Sequence, residues 1–191
     1  MNNDKKYVSR AGYKLELAIK EFQISPEGKI CADFGCSTGG FTDCLLQFGA
    51  EKVYAIDTAY GELDWKFRSH PKVIVMERTN VLDLNIEEKV DLVTIDVGWT
   101  RQSVVLPYAI NILKKTGIII SLIKPHYEAD KKLLKNGVLN ESQAEAILFD
   151  TLDNLLNKFK ETLVLEGKVK SPIEGKKGGN TEYLVGFTLR Q

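Results

Sequence analysis

Hydrophobic positions along the chain alternate between short continuous runs and runs with a spacing of three or four residues. The continuous runs predict strands at residues 29–34, 52–56, 73–76, 90–95, 117–123, 162–169 and 182–189. The spaced runs predict helices around residues 15–22, 41–48, 105–113 and 144–159. Ser9 is placed to cap the first helix, and Asn140 with Gln143 to cap the last. Strands that alternate with helices predict an α/β fold with a mostly parallel, doubly wound sheet, and the last two runs predict an antiparallel hairpin at one edge.

Glycines cluster where the first predicted strand gives way to a helix. The segment contains Asp33, Gly35, Cys36, Ser37, Thr38, Gly39, Gly40 and Phe41. Glycine at such a turn lets the backbone approach a ligand closely. Its G-x-x-x-G-G spacing differs from the G-x-G-x-x-G of dinucleotide sites, where helical N–H groups pack against a pyrophosphate. S-adenosylmethionine (SAM) has no phosphate, so the loop favours SAM over NAD, and a tight turn without any ligand is the alternative.

Two polar residues follow the second and third predicted strands. Asp57 lies 22 residues after Gly35, and its carboxylate can accept both hydrogen bonds from a ribose diol. Asn80 follows the third strand and is a candidate for holding the adenine end, although asparagine is also a common turn residue. Ligands of open α/β sheets bind outside the carboxyl ends of the strands, so both residues are predicted at the cofactor edge.

Asp96 and Lys124 follow the fourth and fifth predicted strands. A lysine directly after a buried strand needs a partner, and Asp96 on the neighbouring strand is the natural one. A lysine partly removed from water and balanced by carboxylates can accept a proton or stabilise a developing oxyanion. A structural ion pair without chemistry is the alternative interpretation.

Several longer motifs resemble the TlyA family, which is called hemolysin-like and belongs to the FtsJ/RrmJ group of SAM-dependent ribosomal RNA 2′-O-methyltransferases. The matching segments are residues 7–15, 33–44, 53–57, 60–65, 76–80, 92–97, 122–125 and 135–138. The resemblance implies a Rossmann-like class I methyltransferase fold with a seven-stranded sheet, and SAM as the cofactor. It also implies a Lys-Asp-Lys-Glu catalytic tetrad at Lys14, Asp96, Lys124 and Glu182. Residues 1–28 are then a helical extension that contributes to the active site, and residues 29–191 are the methyltransferase domain.

Two departures from the family pattern bear on the substrate. Proteins of this family usually carry an N-terminal S4 RNA-binding domain, whereas thirteen residues precede Lys14 here. Docking of the RNA is therefore expected to differ or to need a separate RNA-binding protein. Trp99 lies where the family typically has a serine followed by an aromatic residue, and it either stacks on a flipped base or packs within the protein.

Overall charge does not predict a nucleic-acid partner, because 26 Lys and Arg residues balance 26 Asp and Glu. Two segments have a local excess of positive charge: residues 1–20 carry five basic and two acidic side chains, and residues 166–180 carry four basic and two acidic ones. These segments predict a basic rim for RNA phosphates, and residues 172–180 a mobile substrate loop. Ordinary solvated charge and a simple glycine turn are the alternatives.

Cysteine usage and the N-terminus bear on location. Three cysteines, without a metal-binding spacing, predict reduced thiols in a cytoplasm and no metal. We see no signal peptide, membrane-spanning run or membrane-lytic helix, so no membrane partner is expected.

Other functions stay open at this point. The segment after Asp96 lacks the Asn/Asp-Pro-Pro-aromatic run of amino-methylating enzymes, and all three cysteines precede the second strand, which disfavours cytosine C5 chemistry. A methyltransferase that acts on a small molecule, and a non-catalytic module that binds the ribosome, remain the alternatives.

Overall fold

The computed structural model describes residues 6–175 and 179–191. Its centre is a seven-stranded sheet in the order β3-β2-β1-β4-β5-β7-β6. The strands are β1 (Ile30–Phe34), β2 (Lys52–Ile56), β3 (Val73–Met76), β4 (Val90–Ile95), β5 (Leu113–Ile123), β6 (Leu163–Lys170) and β7 (Tyr183–Leu189). Strands β1 to β5 pair in parallel, whereas β7 pairs antiparallel with both β5 and β6. The predicted fold class, including the antiparallel edge hairpin, is confirmed.

Helices cover both faces of the sheet. They are α1 (Ala11–Glu21), α2 (Gly40–Gln47), α3 (Trp65–Arg68), α4 (Gln102–Ile112), α5 (Pro125–Glu128) and α6 (Glu141–Lys158). Helices α1 and α2 pack on one face with sheet residues such as Leu92 and Ile120. Helices α4 and α6 pack on the other with residues such as Val93 and Ile119. Because neighbouring side chains of a strand point to opposite faces, the continuous apolar runs of the central strands supply both cores.

The start of α1 lies within one or two residues of the prediction. Arg10 already has helical backbone angles and makes no side-chain hydrogen bond to the helix. The Ser9 hydroxyl accepts the N–H of Ala11 at 3.3 Å, which is the bond expected of a capping serine. Helix α6 has the predicted capping box, in which the side chains of Asn140 and Gln143 each accept the other residue's backbone N–H.

Candidate active site

The loop between β1 and α2 lies at the carboxyl edge of the sheet and is held against the next strands. The N–H groups of Gly35 and Cys36 donate to the Ile56 carbonyl at 2.9 and 3.1 Å. Gly35 has φ +83°, and a Cβ there would lie 2.7 Å from the Asp96 carbonyl oxygen. Only glycine fits this backbone without displacing the β4 end. The close approach leaves room for a ligand beside the loop.

Asp57 directly follows β2 and lines a cavity at the same edge of the sheet. Its carboxylate oxygens accept the N–H groups of Ser37 at 2.8 Å and Ala59 at 2.9 Å. These bonds fix the carboxylate between the glycine loop and the turn after β2. Each carboxylate oxygen keeps further acceptor capacity, which a ribose diol can use.

Asn80 and Asp33 use their side chains mainly in hydrogen bonds within the protein. The Asn80 side chain accepts the Leu82 N–H at 3.1 Å as the cap of a short 3₁₀ turn, and Asn80 still lines the cavity beside Asp57. Asp33 is fully buried below the loop, where the hydroxyls of Thr42 and Thr94 donate to it at 2.7 and 3.0 Å. Asp33 therefore supports the loop from beneath rather than lining a cavity.

Lys124 and Asp96 meet across the ends of β5 and β4. The Lys124 ammonium donates to Asp96 Oδ1 at 2.5 Å and to the Val97 carbonyl at 3.3 Å. Burial acts to lower the pKa of Lys124, but the charge and hydrogen bond of Asp96 and the charge of Glu182 outweigh it, and the pKa is raised. Lys124 is therefore a charged ammonium at neutral pH.

Lys14 and Glu182 form a second buried ion pair beside the first. Both residues are buried, at 9% and 4% exposed. Lys14 is placed by the close approach of α1 to α2: a Cβ on Gly40 would lie 2.1 Å from Ser9 Oγ. The four residues predicted as a tetrad thus line one cavity as two ion pairs.

Two cavities of about 360 Å³ each adjoin at this edge and share Gly35, Ser37, Asp96 and Lys124. We call the cavity that contains Asp57 and Asn80 the cofactor cavity, and the one that contains the two ion pairs the catalytic cavity, after the roles that we propose for them. Among the predicted cofactor residues, Cys36, Thr38, Gly40 and Phe41 line the catalytic cavity rather than the cofactor cavity. Gly39 lines neither one; its N–H donates to the Cys36 carbonyl at 2.7 Å, which closes the loop.

Aromatic residues complete the catalytic cavity, and sequence reasoning missed two of them. His126 and Tyr127 lie on α5, directly after Lys124, with ring centroids 4.2 Å apart. The Trp99 ring lies 4.9 Å from that of Tyr127. Trp99 is 83% exposed, so it is not packed in the core. Only the position of His126 and Tyr127 next to Lys124 could have pointed to them, because α5 is too short for a hydrophobic pattern.

The predicted basic rim is only partly present among the described residues. Arg10 lines the catalytic cavity, whereas Lys6 and Lys20 both pair with Glu16. Lys5, Lys176 and Lys177 lie outside the described residues, as does the centre of the predicted loop at 172–180. Gly175, from that loop, lines the catalytic cavity.

Residues 6–175 and 179–191 contain no group of three or more His, Cys, Asp or Glu residues that is arranged to hold a metal ion. None of the helices in this part of the chain has the length and apolar character needed to span a bilayer.

Comparison with known proteins identifies the family. Residues 7–189 match the FtsJ-like methyltransferase family. The chain is 40% identical to Hemolysin A of Brachyspira hyodysenteriae, over 96% of this chain and 78% of the relative. It is 38% identical to the 16S/23S rRNA (cytidine-2′-O)-methyltransferase TlyA of Mycobacterium tuberculosis, over 76% of this chain and 56% of that protein.

Solved structures agree with this assignment. A crystal structure from Lactococcus lactis, described as a hemolysin, superposes with a TM-score of 0.89 at 37% identity, and covers 97% of this chain and 89% of that one. The family, the fold and the glycine loop together make SAM the cofactor. The chain therefore belongs to the family of FtsJ-like methyltransferases.

Proposed function

We propose that the protein transfers a methyl group from SAM to a ribose 2′-hydroxyl of ribosomal RNA, at a cytidine. The observation that carries the proposal is the pair of ion pairs, Lys124–Asp96 and Lys14–Glu182, in a cavity that adjoins the cofactor cavity. The printed names of the TlyA relatives from Mycobacterium tuberculosis and Campylobacter jejuni supply the substrate class. Three buried free cysteines agree with a reducing compartment such as the cytoplasm, where ribosomal RNA is found.

In this proposal the cofactor cavity holds SAM by its ribose and adenine. Asp57 accepts hydrogen bonds from the ribose diol, the glycine loop allows close approach, and Asn80 contacts the adenine end. Bound SAM supplies an electrophilic methyl group on its sulfonium. A side chain at Gly35 would narrow the space between loop and β4, which fits a site that the backbone itself lines.

The tetrad acts on the attacking oxygen. A 2′-hydroxyl is a poor nucleophile, so it must be held in line with the methyl group and stabilised as its proton leaves. Lys124, already an ammonium, donates to that oxygen and stabilises its developing charge. The hydroxyl proton is released to solvent water, because Lys124 is already protonated and does not accept it. Asp96 and Glu182 hold Lys124 by their charges, and Lys14 balances Glu182 and helps position the ribose. A separate RNA-binding protein is a further proposed partner in docking the RNA.

The test is methyl transfer from labelled SAM to isolated 16S and 23S RNA and to ribosomal subunits. We expect incorporation into one RNA, at a nucleotide that resists alkaline cleavage on its 3′ side because its 2′-oxygen is methylated. Label on a base would contradict the 2′-O assignment and leave the methyltransferase class intact. SAM binding without transfer to any RNA form would contradict the RNA substrate and favour a small-molecule target.

Asp57→Ala is expected to weaken SAM binding at least tenfold, because it removes a charge-assisted pair of hydrogen bonds to the ribose. Isothermal titration with SAM measures the change. Asp83→Ala is the matched control: this exposed aspartate lies on the 3₁₀ turn after Asn80 and lines neither cavity. Equal affinities for the two variants would show that Asp57 does not hold the cofactor.

A further inference from the structure

A third cavity, of about 1120 Å³, opens beside the catalytic cavity. The two share Trp99, His126 and Tyr127. The rest of its lining comes from Arg101, from residues of the segment 129–137 and from Asn180. We call this cavity the flanking groove. A polymeric ligand with one of its units in the catalytic cavity could therefore place the neighbouring unit in the flanking groove, which is continuous with that cavity.

The partition between the two cavities is aromatic. Trp99 is 83% exposed and has φ +62°, a backbone conformation that a bulky residue rarely adopts. Its ring contacts that of Tyr127, whose own ring centroid lies 5.8 Å from the Lys124 ammonium. Exposed aromatic rings beside a cationic group are typical of surfaces that stack nucleobases.

The groove also offers charge and hydrogen-bonding groups. Arg101 and Lys131 line it, and neither forms an ion pair with any residue in the part of the chain that the structure describes. His126 has a buried Nδ1 without a hydrogen-bond partner among the described residues. Burial and the Lys124 charge lower the pKa of His126 to about 4, so its ring is neutral at physiological pH and can both donate and accept.

The walls of the groove are held in place without a ligand. Asn180 is 3% exposed and joins two distant segments. Its Oδ1 accepts the Leu139 N–H at 3.1 Å, and its Nδ2 donates to the Gly137 carbonyl at 3.0 Å. The groove is therefore a formed feature of the fold rather than a gap between independent loops.

We propose that the flanking groove binds the nucleotide next to the methylated one in a single-stranded RNA segment. Its base stacks at the Trp99–Tyr127 partition, Arg101 and Lys131 bind the phosphates, and His126 contacts the sugar or base. This inference rests on the proposed function. Arg101 and Lys131, which form no ion pair among the described residues, outnumber the one lining carboxylate, Asp130. This charge, the exposed aromatic rings and the continuity with the catalytic cavity favour RNA over a peptide.

The test measures binding of a short fluorescein-labelled oligocytidylate to the full chain, by anisotropy, with S-adenosylhomocysteine present to prevent turnover. Arg101→Ala and Lys131→Ala are each expected to weaken binding about three- to tenfold. Each is also expected to reduce the slope of log affinity against log salt by about 0.7, because one phosphate contact is lost. Lys132→Ala is the matched control, since Lys132 lies in the same 3₁₀ turn as Lys131 and does not line the groove.

Methyl transfer to ribosomal RNA by the same variants separates this inference from the proposed function. If wild type methylates ribosomal RNA and both groove variants match Lys132→Ala in oligocytidylate affinity and salt slope, the groove proposal is overturned and the proposed function is not. Weaker oligocytidylate binding in the groove variants than in Lys132→Ala supports RNA binding in the groove, and methylation of an RNA by wild type then identifies the bound unit as a neighbour of the methylated nucleotide. Peptide binding by wild type that is lost in the groove variants, while their RNA affinity stays unchanged, would also overturn it.

Discussion

Lys124→Ala is expected to lower kcat for methyl transfer on the order of a thousandfold, while the affinity for SAM changes little. Lys124 is the cation that Asp96, at 2.5 Å, holds in the catalytic cavity, and in our proposal it stabilises the developing 2′-oxyanion. In the same proposal, SAM is held chiefly by the glycine loop and Asp57, on the other side of Gly35. The substitution should therefore slow the chemical step. The rate of a single turnover, with labelled SAM bound before RNA is added, measures this effect.

Two further variants make this result interpretable. Lys124→Arg keeps a cation that does not lose its proton, so partial activity would support charge stabilisation, and activity as low as that of Lys124→Ala would favour proton transfer by Lys124. Lys114→Ala is the matched control, because Lys114 pairs with Asp91 at 2.9 Å between the same two strands, at their other ends. An equal loss of kcat in Lys114→Ala would contradict a specific role for Lys124.

The sheet was largely predictable because its strands are short apolar runs with sharp polar ends. Strands β2, β3 and β4 begin and end at the predicted residues. The carboxyl ends of parallel strands gather at one edge, so Asp57, Asp96 and Lys124 could be placed together without knowing any contact. The cofactor role of Asp57 and the catalytic roles of Asp96 and Lys124 stay predictions.

Strand β5 shows where this reasoning fails. It begins at Leu113, four residues before the predicted start at Gly117. Lys114 and Lys115 look like turn residues in the sequence, but Lys114 is stabilised in the strand by its ion pair with Asp91. An irregularity in the β4–β5 pairing between Val90 and Leu92 accommodates the extra length. A partner on another strand overrides local polarity, and the sequence pattern does not contain that information.

The flanking groove lay beyond sequence reasoning for a related reason. Its walls come from α5, from the segment 129–137 and from Asn180, which lies more than 40 residues further along the chain. Neither the segment 129–137 nor the loop around Asn180 has periodic hydrophobic positions. The two Asn180 hydrogen bonds that join these parts of the chain form only in the complete fold. Trp99 was visible as a large aromatic residue shortly after β4, and the segments 135–138 and 172–180 stood out as motifs, but nothing in the sequence placed them beside one another.

Asp33 gives the second large effect, on stability. Its carboxyl group is fully buried below the cofactor loop. Burial raises its pKa to about 7, although the hydroxyls of Thr42 and Thr94 oppose the shift, and the nearby charge of Asp96 adds to it. The unfolded chain has an ordinary aspartate with a pKa near 4. Between these two values the folded protein binds a proton that the unfolded chain does not.

The free energy of unfolding should therefore be highest below about pH 4 as far as Asp33 is concerned, and should fall as the pH rises towards 7. The full difference is on the order of 4 kcal/mol, since one pKa unit corresponds to about 1.4 kcal/mol. Asp33→Asn is neutral at every pH and has nearly the same shape. Because the threonine hydroxyls can rotate, they can donate to its oxygen and accept from its nitrogen.

We expect Asp33→Asn to be more stable than wild type by about 4 kcal/mol at pH 8, and by only about 1.4 kcal/mol at pH 5, one pKa unit above the value in the unfolded chain. Urea unfolding at the two pH values, with both proteins measured in parallel, gives the comparison. The difference between the proteins removes the contribution of groups such as His126, whose lowered pKa of about 4 makes stability rise over part of the same range. Parallel pH dependence in wild type and variant would show that Asp33 stays ionised in the folded protein, held by its two threonines.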